Sequence, residues 1–437
     1  MQHLPGPKLK VPTPVVRSII AIRERLVLGA VTVLLLSVTG ADAGDQFKFN
    51  FVLDGRLVTT PPSTSFLDGG LGKTRYGNQP RGVKARLAQA IALGEFDARP
   101  DLSLRLQANV DTEHNFKRRV DLVEGIIRYA PALGDTVSLD IRAGVFFPTV
   151  SLENTDPGWL SPYTTTFSAI NTWIGEEVRN VGVEAGPSFR ISEAQVRVFG
   201  TLTRANDPNG TLLAWRGFAL HDRVSGVGDR IPLPALKSFD RPDLFPDQPT
   251  YVQPIREVDK RWSWSTGLAI THPRYRIKAL YQPEVANPAA FDGQQYAWRT
   301  GYGSVGIARS FGPFELLAQG LDGKTHMGLV PGRGNAVVVR FQSGYLMATW
   351  ASPDTKHRLT ARFDKFRVRD LDQFKVEDAN TEDGDSWTFA YSLAPATHHK
   401  ITMEFLRVDS THVNRRDLGL DPRAVEILGT LSYRLSF

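Results

Sequence analysis

The stretch Arg423-Ala424-Val425-Glu426-Ile427-Leu428-Gly429-Thr430-Leu431-Ser432-Tyr433-Arg434-Leu435-Ser436-Phe437 decides the fold. Val425, Ile427, Gly429, Leu431, Tyr433, Leu435 and Phe437 lie opposite Glu426, Thr430, Ser432, Arg434 and Ser436, because successive side chains of an extended chain point to opposite sides. One face is apolar and the other polar. The pattern recurs upstream. Leu102, Leu104, Leu106, Ala108 and Val110 alternate with Ser103, Arg105, Gln107 and Asn109; Val137, Leu139, Ile141, Ala143 and Val145 alternate with Ser138, Asp140, Arg142 and Gly144.

Working outward from these runs, the alternation predicts strands near 46–58, 81–97, 101–111, 116–130, 135–147, 178–191, 194–204, 259–271, 274–284, 295–310, 313–322, 334–350, 356–366, 384–394, 398–408 and 423–437. That makes sixteen, with the phase of the first two and the twelfth the least distinct. Short connections rich in turn formers alternate with longer ones: Arg99-Pro100, Pro131 to Gly134, Ser192-Glu193, His272-Pro273, Gly312-Pro313, Ser352 to Thr355 and Pro395 to Thr397 are the short set. This is the rhythm of a transmembrane barrel with tight turns at one rim and loops at the other. A soluble sandwich rarely reaches sixteen strands, and a propeller would show a repeat of about 40 to 50 residues, which the chain lacks. The expected fold is all-β, a 16-stranded antiparallel transmembrane β-barrel with short periplasmic turns and long extracellular loops. Tyr129, Phe146, Phe147, Trp262, Trp298, Trp350, Trp387 and Tyr391 fall near strand ends, as interfacial girdles require.

Length and composition agree. The chain has 437 residues, 41% hydrophobic and 22% charged, too apolar for disorder. It has no cysteine, which removes disulfides, thiolate metal sites and cysteine nucleophiles together. Lys and Arg number 52 against 46 Asp and Glu, a net +6. Half of that excess sits in residues 1–43, where Lys8, Lys10, Arg17, Arg23 and Arg25 outweigh Glu24 and Asp42, so the basic balance does not point to nucleic acid. Residues 1–43 read as a signal peptide: a basic start, the apolar run Leu26 to Val38, and Ala41-Asp42-Ala43 as a small-x-small cleavage site. That apolar run is short for a spanning helix, which needs about 20 residues. The mature chain then spans 44–437.

A signal peptide, sixteen amphipathic strands and the ending Leu431-Ser432-Tyr433-Arg434-Leu435-Ser436-Phe437 resemble bacterial outer-membrane porins, and locally the chain looks most like the porin O/P (phosphate-selective) type. The resemblance implies a water-filled diffusion channel for small hydrophilic solutes in the outer membrane of a Gram-negative cell. It also implies a homotrimer among outer-membrane lipid and lipopolysaccharide, and an assembly signal in Tyr433, Leu435 and Phe437 read by the barrel-assembly machinery. In general porins the third outside loop folds into the barrel. Here that loop, 148–177, carries Trp159, Tyr163 and Trp173, apolar surface poorly placed in open water, with the acids Glu153, Asp156, Glu176 and Glu177. It is the expected constriction. The loop 205–258, rich in proline, is long enough to cap the mouth or fold inward.

Function then depends on the charges of the inner wall. The polar face presents Arg105, Arg118, Arg128, Arg142, Arg190, Arg197, Arg276, Lys278, Arg358, Arg362, Lys400 and Arg434 against Glu124, Asp140, Glu184, Glu315, Asp364, Glu404 and Glu426. A net basic wall facing an acidic loop predicts a transverse field and a weak preference for small anionic or polar solutes; cross-strand pairing that merely satisfies these charges is the alternative. Three motifs are set aside. Gly69-Gly70-Leu71-Gly72-Lys73-Thr74 imitates a P-loop but has Leu67 where a glycine is required and a strand where a helix should follow. Adjacent His398-His399 point to opposite faces of a strand. His221-Asp222 lacks a serine that could complete a hydrolase. A barrel enzyme of phospholipase or protease type, and an adhesin or receptor acting through its loops, are the rival functions; no catalytic group, metal ligand or cofactor site is expected.

Overall fold

In the computed structural model, residues 46–78, 82–110 and 120–437 are described. The segment 1–43 and Arg118 lie outside them. Sixteen strands form one closed antiparallel barrel: β1 (Phe47–Thr59), β2 (Val83–Arg99), β3 (Leu102–Val110), β4 (Val120–Tyr129), β5 (Val137–Phe146), β6 (Asn180–Ile191), β7 (Ala194–Arg204), β10 (Ser263–His272), β11 (Tyr275–Gln282), β12 (Arg299–Phe311), β13 (Phe314–Met327), β14 (Val337–Ala351), β15 (His357–Asp370), β16 (Glu382–Ala396), β17 (His399–His412) and β18 (Arg423–Ser436). The remaining pair, β8 (Ile231–Pro232) and β9 (Tyr251–Val252), forms a separate two-stranded sheet within the loop after β7. No described helix is long and apolar enough to cross a membrane; this barrel presents strands instead.

The last strand closes on the first, with Leu53 opposite Leu435, Gly55 opposite Tyr433 and Leu57 opposite Leu431. On these two strands Leu53, Leu57, Leu431 and Tyr433 are exposed, whereas Asp54, Arg56, Ser432 and Arg434 are buried. The same inversion runs round the wall: Ile127, Val198, Leu202, Leu346, Phe389 and Phe405 face outward and exposed. A protein with its apolar side chains outside and its charges inside suits a hydrocarbon surrounding, because a closed barrel leaves no strand edge unpaired there.

The barrel is taller along one arc. Strands β12 to β18 run 13 to 15 residues, while β3 to β5, β10 and β11 run 8 to 10. Here the structure departs from the alternation, which ends early on several strands: β13 continues to Met327, β15 to Asp370 and β17 to His412. The extra residues put Lys324, Arg367, Arg369 and Asp409 on the outward side, next to Asp322, Lys365 and Arg407 at the ends of the expected spans. Apolar alternation reports the lipid-facing belt, not the length of the hydrogen-bonded ladder. One inward position is fixed by close approach. Gly144 on β5 has a φ of +130°, and a Cβ there would stand 1.9 Å from the Gly125 carbonyl oxygen on β4, so only glycine fits.

Candidate channel interior

The loop 148–177 lies against inward-facing side chains of the tall arc. Its helix, Ala169–Glu177, is buried along its whole length. Ser168 caps it, its hydroxyl accepting from the Asn171 N–H at 3.3 Å, and the Asp364 carboxylate on β15 accepts from the Ala169 N–H at 3.0 Å, where the helix dipole favours a negative group. Arg362 holds the loop more directly. Its guanidinium donates to Glu153 at 2.7 Å, to Asp364 at 2.8 Å, and to the carbonyls of Thr166 and Phe167 at 2.7 and 2.9 Å; its side chain is fully buried. Glu404 on β17 accepts from the N–H groups of Thr165 and Thr166 at 2.6 and 3.1 Å. Trp173 packs on Tyr302 and Phe341 of the wall, and Trp159 stacks on Phe147 at 4.3 Å.

The loop 205–258 joins it. Arg216 donates to both oxygens of Glu176, at 2.9 and 2.7 Å, and His221 Nε2 lies 3.2 Å from the same carboxylate. Burial alone would raise the Glu176 carboxyl, but Arg216 and His221 more than offset it and hold it well below the usual range. Its neighbour Glu177 has no such partner. It accepts from the Leu212 N–H at 2.9 Å and from Trp173 Nε1 at 2.7 Å, and burial pushes it up to about 7. Trp215, fully buried, sits among Phe239, Phe245 and Trp298. Farther along, Asp207, Glu257 and Asp259 gather near the rim. There Asp207 accepts from the N–H groups of Val258 and Asp259, and Arg204 donates to Glu257 at 3.0 Å; burial pushes Asp207 up to about 6.

A third segment, 60–78 after β1, enters the interior as well, and nothing in the sequence reading foresaw it. The stretch that imitates a P-loop is part of it. Lys73 is fully buried: its ammonium pairs with Glu382 of β16 and donates to the Arg216 carbonyl at 2.8 Å, while its N–H donates to both oxygens of Glu426 on β18, at 2.9 and 3.0 Å. Arg75 meets Asp222 at 3.1 Å, and Asp222 also accepts from Arg56 of β1 at 2.6 Å. His221 and Asp222 therefore serve different partners, with His221 stacked on Phe66 at 4.4 Å. The sequence carries no signal for this third segment, since it has no periodicity and the acids that meet Lys73 lie far along the chain.

Below this plug, on the half of the barrel nearer the short turns, the inward charges keep contact with water. Arg142 donates to Glu184 at 3.0 and 2.9 Å and to Thr149 at 2.7 Å, and Arg197 reaches the same carboxylate at 2.8 Å. Arg276 donates to Glu315 at 2.6 Å and to the Tyr163 hydroxyl at 3.0 Å, and Arg358 sits 5.1 Å from the Tyr163 ring centre. Lys278 and Lys400 donate to loop carbonyls, Ser151 at 2.6 Å and Pro162 at 2.9 Å. Arg128 pairs with Asp140 at 3.0 Å, Arg105 stands 4.0 Å from Glu124, and Arg190 is exposed near the rim. Arg434 meets Asp54 at 3.2 Å and Asp156 at 3.9 Å. The first two strands add Lys48, which bonds Asp97 at 2.8 Å, and Glu95; their uncertain phase had hidden these. Among the described residues, the cations with water contact on this half are Lys48, Arg105, Arg128, Arg142, Arg190, Arg197, Arg276, Lys278, Arg358 and Lys400, against Glu95, Asp97, Asp140, Asp156 and Glu315 and the buried acids Glu124 and Glu184 that pair with Arg105, Arg142 and Arg197, which leaves the wall basic by a smaller margin. Arg362 and Glu404 face inward too, but are sealed under the plug.

A closed sixteen-stranded barrel with inward-folded loops and a charged inner wall is the class of fold built by outer-membrane channels. The solved structures similar to this chain share it. The outer membrane channel DcaP of Acinetobacter baumannii matches with a TM-score of 0.56 at 10% identity, covering 90% of this chain and 97% of that one. The anion-selective porin from Comamonas acidovorans matches with a TM-score of 0.52 at 10% identity, covering 90% and 99%. At that identity the fold is what is held in common. No family model matches the chain, and no curated protein matches it.

Proposed function

We propose that this chain is an outer-membrane porin, a water-filled diffusion channel for small hydrophilic solutes with a weak preference for anions. The observation that carries the reading is the partly hydrated, net basic wall below the plug. Guanidinium groups stay charged at any working pH and are weakly hydrated, so they exchange an anion's water shell without gripping the anion. The wall of β15 to β18 is closed against the plug by Arg362, Glu404 and Glu426. The solute path accordingly runs along β5, β7 and β11, where Arg142, Arg197, Arg276 and Lys278 are only part-buried. The proposal includes export by a signal peptide cleaved after Ala43, insertion by the barrel-assembly machinery through Tyr433, Leu435 and Phe437, a homotrimer among outer-membrane lipid and lipopolysaccharide, and likeness to the porin O/P type. The channel reading is favoured over a hydrolase built on His221-Asp222, because that pair is divided between Glu176 and the two arginines Arg56 and Arg75.

Single-channel recording in a planar bilayer under a KCl gradient tests this. Steady conductance with a reversal potential displaced toward the chloride equilibrium is expected, and Arg142→Ala with Arg276→Ala should move it toward zero. Absence of conductance overturns the channel, and a reversal potential on the potassium side overturns the anion preference.

A further inference from the structure

The two ends of the loop 205–258 meet at the rim over a cluster of acids that the channel reading does not use. Asp207 stands at the start of the loop, Glu257 and Asp259 at its end, and one carboxylate oxygen of each lies within 4.8 Å of the other two. Like charges this close repel one another. Asp207 Oδ2 accepts from the N–H groups of Val258 and Asp259 at 2.5 and 3.0 Å, and Asp259 accepts from those of Arg261 and Asn287 at 2.8 and 2.5 Å. Glu257 Oε2 accepts from Arg204 Nε at 3.0 Å, while Glu257 Oε1 is buried without a hydrogen-bond partner. These bonds position the oxygens without neutralising them, and each oxygen so engaged keeps a second lone pair. Three negative charges face one paired cation.

A second, independent feature is the cavity beside them. Asp207 and Asp259 line it together with Asn180, Asn209, Trp262 and Trp298, and it holds about 30 Å³, room for an ion with its waters and too little for an organic solute. Asn209 is only 2% exposed, yet neither its Oδ1 nor its Nδ2 finds a hydrogen-bond partner. Buried amides are normally satisfied. Whichever way this amide is turned, it presents one oxygen that nothing in the protein uses. The arginines nearby are committed elsewhere: Arg204 holds Glu257, Arg179 gives its terminal nitrogens to the carbonyls of Ile174, Gly175, Val178 and Ser225, and Arg261 is exposed.

We propose that Asp207, Glu257 and Asp259, with the Asn209 amide oxygen, bind one calcium ion that ties together the two roots of the loop 205–258. An all-oxygen set of carboxylates and an amide carbonyl selects a hard cation. Oxygens on opposite sides of a calcium ion stand about 4.6–5.2 Å apart, and the irregular geometry of loop ligands suits calcium, whereas magnesium demands a tighter octahedron and gives up its water reluctantly. The ion relieves the repulsion of the three acids and meets the idle amide. Asp207 and Glu257 lie 50 residues apart in a stretch without periodicity, which is why no ligand set was legible in the sequence. The site goes beyond the channel reading and stands independently of it.

The test uses the folded mature protein in nonionic detergent, stripped with EDTA, with terbium as the probe and calcium and magnesium as competitors. Trp298, whose N–H donates to the Asp207 carbonyl at 2.7 Å, and Trp262 line the same cavity, so terbium bound there should emit when tryptophan is excited, saturating at one ion per chain. Calcium should displace it with a Kd of about 10⁻⁴ to 10⁻³ M, and magnesium only at concentrations about tenfold higher or more. Asp207→Asn with Glu257→Gln keeps an oxygen for the Val258, Asp259 and Arg204 donors while removing two charges, and should weaken binding about tenfold or more. Asn209→Ala leaves all three acids and should weaken it severalfold, which keeps the proposal open to refutation if the double variant fails to fold. Calcium should also slow papain cleavage within 205–258 in wild type and not in the double variant. Emission unchanged in both variants, displacement by magnesium as readily as by calcium, or cleavage indifferent to calcium overturns the site. Conductance of the same samples reads the channel separately, so either conclusion can fail without the other.

Discussion

Arg362 and Arg276 share the inner wall and the same phase, yet their surroundings give them opposite parts. Arg362 is sealed between Glu153 and Asp364, so Arg362→Met strands two buried acids and should cost about 3–5 kcal/mol, read as a lowered unfolding midpoint in detergent. Arg276 keeps water contact, and Arg276→Ala should leave that midpoint within about 1 kcal/mol while shifting ion selectivity. Period two shows which residues point inward; it cannot tell which of them meet a loop and which meet water. Glu177 adds a pH dependence. Its carboxyl is raised to about 7, so the folded protein holds the proton more tightly than the unfolded chain does. That contribution is complete below the ordinary carboxylate range and is lost as pH rises through 7. Limited proteolysis of 205–258 should therefore quicken as pH rises from about 4.5 to just above 7, and Glu177→Gln should flatten the profile. An unchanged profile in that variant would remove Glu177 from the effect.

Strands and loops differ in how much the sequence tells of them. The sixteen strands were legible because each repeats one simple rule, and their observed bounds lie mostly within a few residues of the alternation. The ends of β13, β15 and β17 were not, since charged side chains break the apolar rhythm while backbone pairing continues. The inward course of 60–78 was invisible for a related reason: its anchors, Lys73 with Glu382 and Glu426, lie more than 300 residues apart in the chain. Deleting 63–76 should leave the barrel folded and raise single-channel conductance, because that segment occupies the interior without contributing a strand. Unchanged conductance would mean the segment does not obstruct the path. Gly144→Ala tests the wall itself. Its Cβ would collide with the Gly125 carbonyl in a backbone conformation that costs a side chain about 1–3 kcal/mol, so folding yield should fall without any change in selectivity for the fraction that folds.

At the scale of the whole molecule, hydrophobic exterior and charged interior are two statements of one constraint, the absence of water around the wall. A barrel held by a continuous ring of backbone hydrogen bonds should stay folded in cold sodium dodecyl sulfate and unfold only on heating, with a shift in gel mobility; identical mobility before and after boiling would contradict a closed ring. The ring is completed by one seam, β1 against β18. Its two sides are the earliest and the latest strands to leave the ribosome, so no stretch of nascent polypeptide can be sealed ahead of the rest. A shortened product that lacks residues 423–436 leaves β1 and β17 with bare margins, and such margins invite clumping.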